Sequence, residues 1–158
     1  MTRIDFYLQQ APAIVTLETW VCRLVDKAFS QSHQVYVLTP DQKTATHLDH
    51  LLWTFSPGSF IPHALWGAAF VPDDALPRPF LGSTDQPQPP TPVLIGPQEP
   101  PVTWQDTLVT LSPDVPGCFS RFERVAEFVA ANEDAKQRAR ERFRFYRDRG
   151  YVLETHDI

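Results

Sequence analysis

Apolar residues along this chain recur with two periods, and the changes of period mark out its elements. Ile4, Phe6, Tyr7 and Leu8 form a short, mostly apolar run that predicts a first strand over 4–8. Pro12 marks a loop. Leu17, Trp20, Val21, Leu24, Val25, Ala28 and Phe29 then repeat at helical spacing, with Thr16 placed to cap the helix. A second strand is expected over 34–38. Thr39, Pro40, Asp41 and Gln42 read as a capping box with proline at the first helical position. The helix that follows should run to about Phe55 and turn Ala45, Leu48, Leu51 and Leu52 inward. This strand–helix–strand–helix start predicts an α/β layered fold.

The pattern then becomes less regular. Trp53, Phe55, Phe60, Ile61, Pro62, His63, Leu65 and Trp66 crowd large side chains around a Ser56, Pro57, Gly58 turn. Pro62 disfavours a central strand and suggests a sheet edge. The crowd is either core beneath a loop or an aromatic patch for a protein partner. Residues 72–101 hold ten of the 16 prolines and read as a proline-rich surface insertion, with Val93, Leu94 and Ile95 as its one candidate strand. Strands are expected over 107–111 and 124–129, separated by a turn at 113–117. A helix follows, opened by Asn132 as N-cap and closed by Gly150. Residues 151–158 read as a tail. The expected whole is one compact domain over 1–158, with a largely parallel or mixed central sheet flanked by helices.

Charge changes this picture at one place. The chain is at -5 overall, yet residues 136–150 hold seven of its 14 Lys and Arg against two acids. An acidic protein that concentrates its cations on one helix has built either a solvated face or a contact surface for an anion. At about 100° per residue, Lys136, Arg140, Phe143, Arg144 and Arg147 share one sector. Ala135, Ala139 and Tyr146 form an apolar strip beside it, with Arg142 at its far edge. Arginine dominates lysine and aromatics interleave, which favours the contact surface.

Other chemistry is sparse. Six glycines make no phosphate-binding pattern, so a dinucleotide or P-loop enzyme is disfavoured and no cofactor is expected. No nucleophile elbow or catalytic triad stands out. His47 and His50 sit one turn apart without a third ligand, so no metal is expected. Cys22, off the apolar helix face, reads as a small filler. With Cys118 it makes no metal spacing and fits a reducing compartment. No apolar run is long enough to span a membrane, and 1–6 lacks a signal-peptide core.

Phe6-Tyr7-Leu8, Leu51-Leu52-Trp53, Ser59-Phe60-Ile61-Pro62-His63 and the run from Ala139 to Arg147 resemble the chi subunit of bacterial DNA polymerase III. The resemblance covers nearly the whole chain outside the proline-rich insertion, which looks longer than in many members. It implies a Rossmann-like α/β fold without a phosphate-binding loop, in a bacterial cytoplasmic protein without catalytic residues. It implies an accessory subunit of the clamp-loader assembly that grips the acidic C-terminal tail of single-stranded DNA-binding protein, and so meets DNA indirectly. The tail-binding positions implied are Val129, Lys136, Arg140, Phe143 and Arg144, and Arg147 extends the same cationic sector. Ala135 stands where some members carry a larger aliphatic residue; Phe143 replaces a common Tyr, and Arg144 a common Lys. The aromatic patch maps to the family's contact with the psi subunit, where the host has one: Trp53, Phe60, Pro62 and His63. Two alternatives remain: a direct nucleic-acid binder using the basic helix with Phe143, Phe145 and Tyr146 to stack bases, or a nucleotide-dependent enzyme.

Overall fold

The computed structural model describes residues 2–10, 16–55, 61–66, 92–101 and 104–158. Its strands are β1 (Arg3–Leu8), β2 (Val35–Leu38), β3 (His63–Leu65), β4 (Val93–Gly96), β5 (Thr107–Thr110), β6 (Arg124–Val129) and β7 (Val152–Asp157). Its α-helices are α1 (Leu17–Ser30), α2 (Gln42–Thr54) and α3 (Glu133–Asp148). The strands form one sheet in the order β3-β4-β2-β5-β6-β1-β7, with every pair parallel. A parallel sheet buries its faces under crossover helices, and this one is an α/β fold of that kind.

Strand alternation sorts the core. Ile4 and Phe6 of β1 point toward α3, with Tyr36, Leu108, Val125, Val129, Ala139 and Tyr146. On the other face Val21, Cys22, Val25, Leu48 and Leu52 of α1 and α2 pack on Val35, Val37, Val109 and Phe128. Cys22 thus belongs to the buried face of α1 and is fully enclosed, contrary to its expected position off that face. Burial pushes its thiol up to about 12, which suits a packing residue.

Thr16 caps α1 as the sequence predicts, accepting from the Thr19 amide at 3.3 Å. In α2 the cap is Asp41, accepting from Thr44 N at 2.7 Å, two residues beyond the expected Thr39. Thr39 is buried and its hydroxyl instead donates to the Asp41 carbonyl. The sequence also predicts a sheet that is parallel or mixed; it is parallel throughout. Of the proline-rich stretch, 72–91 and Phe60 of the aromatic patch lie outside the described residues. The stretch's described end carries β4, the candidate strand, wholly buried between β3 and β2.

The clearest departure is 151–158, which is not a tail. It forms β7, paired along the length of β1 from Arg3↔Val152 to Leu8↔Asp157. The turn into it explains the placement. Gly150 adopts φ 82, the left-handed conformation that costs glycine little. The Gly150 amide then donates to Arg147 O at 3.0 Å and the Tyr151 amide to Tyr146 O at 3.2 Å, the paired closure of a Schellman motif. This folds the chain straight back onto the sheet edge. There His156 meets Asp5 at 3.2 Å and Arg3 meets Glu154 at 2.6 Å. Asp5 is fully buried. Burial alone would raise its carboxyl, but hydrogen bonds from His156 and Arg124 outweigh that and leave it below the usual range.

Beneath α3 lies a buried ion pair. Arg142 Nε donates to Glu127 Oε1 at 2.9 Å, and its Nη1 donates to the Pro113 carbonyl at 2.8 Å. Both side chains are essentially closed to solvent. The sequence places Arg142 only at the edge of the apolar strip; it is part of the buried face. Burial pushes the Glu127 carboxyl up from 4.5 to about 7, against the opposing pull of Arg142. The native pKa lies above the unfolded one, so wild-type stability should fall as pH rises through that window and level off above it. Arg142→Ala leaves the carboxylate unpaired and should cost about 3 kcal/mol near pH 8. The loss should be smaller near pH 5, where native Glu127 is neutral; urea unfolding at the two pH values checks both statements.

Candidate functional site

Ligands on open parallel sheets sit at the carboxyl ends of the strands. Here a cavity of about 360 Å³ opens at that end, between α3 and the edge strand β7. Its apolar floor is Phe6 and Leu8 of β1, Val129 of β6 and Ala139 of α3. One wall is α3, which contributes Lys136, Arg140 and Phe143; the opposite wall is Gln10 with Thr155 and Asp157 of β7.

Each wall follows from local sequence. Asn132 accepts from Ala135 N at 2.8 Å and starts α3, while Glu133 and Asp134 complement its positive first turn. Ala139, Arg142 and Tyr146 are buried, which fixes the helix rotation and leaves Lys136 and Arg140 exposed at the rim. Phe143 is half-buried, its ring 5.5 Å from that of Phe6 and tilted against it. Among the described residues Arg140 is hydrogen-bonded only to Gln137, at 3.4 Å, and it is exposed. On the far wall Gln10 Nε2 donates to Asp157 at 3.1 Å and to the Leu8 carbonyl at 3.0 Å.

Four of the six expected tail-binding residues, Val129, Lys136, Arg140 and Phe143, therefore line one cavity. Arg144 and Arg147 are exposed farther along the same helix and are not part of its lining. The sequence reading missed Phe6, Leu8, Gln10, Thr155 and Asp157. The strand at 4–8 was legible as an apolar run, though not its place in the floor; the far wall was not legible, because Glu154, Thr155, His156 and Asp157 include no apolar residue to announce an edge strand.

The aromatic patch lies at the opposite edge of the sheet. Trp53 is 48% exposed and Trp66 40% exposed, and Pro62 is partly exposed beside them. Gly96 permits the close approach here: a side chain on it would lie 2.0 Å from the Trp66 carbonyl. The His63 ring is enclosed and lies 4.5 Å from the Trp53 ring. Its Nδ1 faces Ile61 O at 2.7 Å and its Nε2 faces Asp49 O at 2.9 Å. Two acceptors on opposite ring nitrogens are both satisfied only by imidazolium. Burial lowers the His63 pKa, but these bonds and the Asp49 carboxylate outweigh it, so the net shift is upward. His63 thus moors β3 to α2 beneath Trp53.

Among the described residues, Asp5, Glu154 and His156 bring ligand atoms within 4.8 Å of one another. Arg124 and Arg3 already hold Asp5 there, which opposes a cation. His47 and His50 are exposed on α2. The N-terminus of α3 is occupied by its own Asn132 cap and two carboxylates, a setting that repels phosphate. No helix among the described residues is long and apolar enough to cross a membrane.

The raised His63 pKa gives a test with a defined sign. Its stabilisation is present below the unfolded value near 6.5 and should be lost as pH rises through the native value. Trp53 fluorescence should change over that range in wild type. In Asp49→Asn, which weakens the upward pull, the change should move to lower pH.

The family model for "DNA polymerase III chi subunit, HolC" matches residues 1–154. The chain is 38% identical to the DNA polymerase III subunit chi of Pseudomonas aeruginosa, covering 100% of this chain and 98% of that protein. It is 29% identical to the subunit chi of Escherichia coli, covering 98% and 97%. Among solved structures it is similar in fold to T4 UvsW, with a TM-score of 0.67 at 9% identity, covering 99% of this chain but only 42% of that one. At that identity the last likeness concerns fold alone. Near-complete coverage in the family match and in both subunits places this chain in the DNA polymerase III chi subunit family.

Proposed function

We propose that this chain is a non-catalytic accessory subunit linking the DNA polymerase III clamp loader to single-stranded DNA-binding protein. It does so by holding that protein's acidic C-terminal tail, which ends in phenylalanine, in the cavity between α3 and β7. The observation that carries this reading is the pairing of an exposed Arg140 and Lys136 with an apolar floor of Phe6, Leu8 and Val129 in one pocket. A terminal carboxylate wants a two-donor fork, and the terminal side chain wants apolar contact within reach of it. The cavity volume, about 360 Å³, suits one large side chain with its backbone. Acids preceding the terminal residue are attracted by Arg144 and Arg147, which continue the cationic face of α3. The patch of Trp53, Phe60, Pro62 and His63 receives a second partner, the psi subunit where the host has one. Within it Trp53 supplies contact area, and His63 holds Trp53 in place.

Titration of a synthetic tail peptide tests this. Arg140→Ala should lose about 1.5 kcal/mol of binding, roughly ten-fold, only while the peptide keeps its terminal phenylalanine. Arg140→Lys should recover part of it, because lysine keeps the charge without the planar fork. Arg147→Ala should act less, and its effect should fade with salt. Equal small losses in all three variants, indifferent to the terminal residue, would reject the pocket in favour of a diffuse cationic face. Trp53→Ala should leave peptide binding unchanged while weakening assembly with the second partner. Binding of a naked oligonucleotide in place of the peptide would favour the nucleic-acid reading.

A further inference from the structure

The pocket has a feature that tail capture alone does not require: one of its walls is acidic. Asp157 lines the cavity opposite Lys136 and Arg140, at the end of β7. It is held by Gln10, whose amide donates to it at 3.1 Å. Glu154, the next acid along β7, lies on the opposite face of the sheet with His156 and is paired with Arg3. The pocket face of β7 therefore carries the one negative charge of Asp157, while α3 carries positive charge past the pocket through Arg144 and Arg147. A bound peptide leaving the pocket has two ways out, along the open edge of β7 or along α3.

We propose that Asp157 is a specificity-determining residue that sorts acidic peptides by direction. Its carboxylate repels acids from the β7 side and directs the residues preceding the C-terminus onto the cationic face of α3. This deepens the tail-binding reading and rests on it. Selection by repulsion lowers the affinity for every acidic peptide slightly and disfavours the wrong register more. Like charges across a partly solvated pocket act through water and protein, so the effect is modest and salt-sensitive.

The test uses the full chain and two peptides with a terminal Phe: one with acids before it, the other with those acids replaced by their amides. Asp157→Asn keeps the Gln10 hydrogen bond and removes only the charge. Both peptides keep the terminal carboxylate and should gain somewhat at low salt, but the acidic peptide should gain roughly three-fold more than the amide peptide. Asp157→Ser should give the same sign, and the gain should vanish at high salt. An equal effect on both peptides, or weaker binding of the acidic one, would overturn the inference. Arg140→Ala run alongside separates the two failures. If it weakens both peptides while Asp157→Asn does nothing selective, only the sorting role is lost. If Arg140→Ala changes neither, the pocket does not read tails and both readings fall.

Discussion

The rotation of α3 about its own axis is the constraint on which the pocket depends, and the buried Arg142–Glu127 pair sets it. A helix docked only through Ala135, Ala139 and Tyr146 has a narrow, smooth apolar strip that tolerates rotation. A guanidinium bonded at 2.9 Å to a carboxylate, and also to the Pro113 carbonyl, does not. Such pairs add little net stability, because desolvation offsets most of the attraction, but a misaligned alternative leaves a bare charge in the core. With Arg142 fixed inward, Lys136 and Arg140 must emerge at the rim and Phe143 must lean on Phe6.

The second wall depends on the end of the same helix. The Schellman closure at Gly150 reverses the chain within two residues, and β7 takes the place beside β1. Along β7, side chains alternate in purpose. Thr155 and Asp157 face the pocket, whereas His156 grips the buried Asp5 on the opposite face of the sheet. Tyr7 stacks between His156 and Phe128, with ring centroids 4.9 and 5.0 Å away, and Arg124 hydrogen-bonds its hydroxyl. This polar network holds β7 in register, a task that a sparse apolar sequence could not perform.

Legibility in the sequence followed burial. The fold class, the first two strand–helix units and the limits of α3 were readable because their residues alternate strongly or end in distinctive caps such as Thr16, Asn132 and Gly150. The cationic rim was readable because charge segregates at helical spacing. The far wall was not, since an edge strand half in water needs few apolar residues, and the stretch that builds the wall, Glu154 to Asp157, has none. Nor was the Arg142–Glu127 pair: an arginine within a run of arginines gives no local sign that it alone is buried. Cys22 was misplaced for a related reason, because a small residue contributes little to a helical pattern even when fully enclosed. Four of the residues that the family resemblance grouped line one cavity, but the resemblance said nothing of the wall that faces them.

The pocket's polarity then makes sense of the chain's charge distribution. On the proposed tail-binding reading, a chain with a net charge of -5 repels its acidic partner as a whole and attracts it at the cationic face of α3. Long-range repulsion with a local attractive stripe restricts productive encounters to one face, so orientation is selected before contact. The role proposed for Asp157 continues the same logic at short range, where the choice is no longer which face to approach but which way an extended chain runs across it. A uniformly basic protein would bind acidic chains more strongly and in many registers. Placing six of the 14 cations on α3 in an otherwise acidic chain gives up some attraction for the single direction of binding proposed.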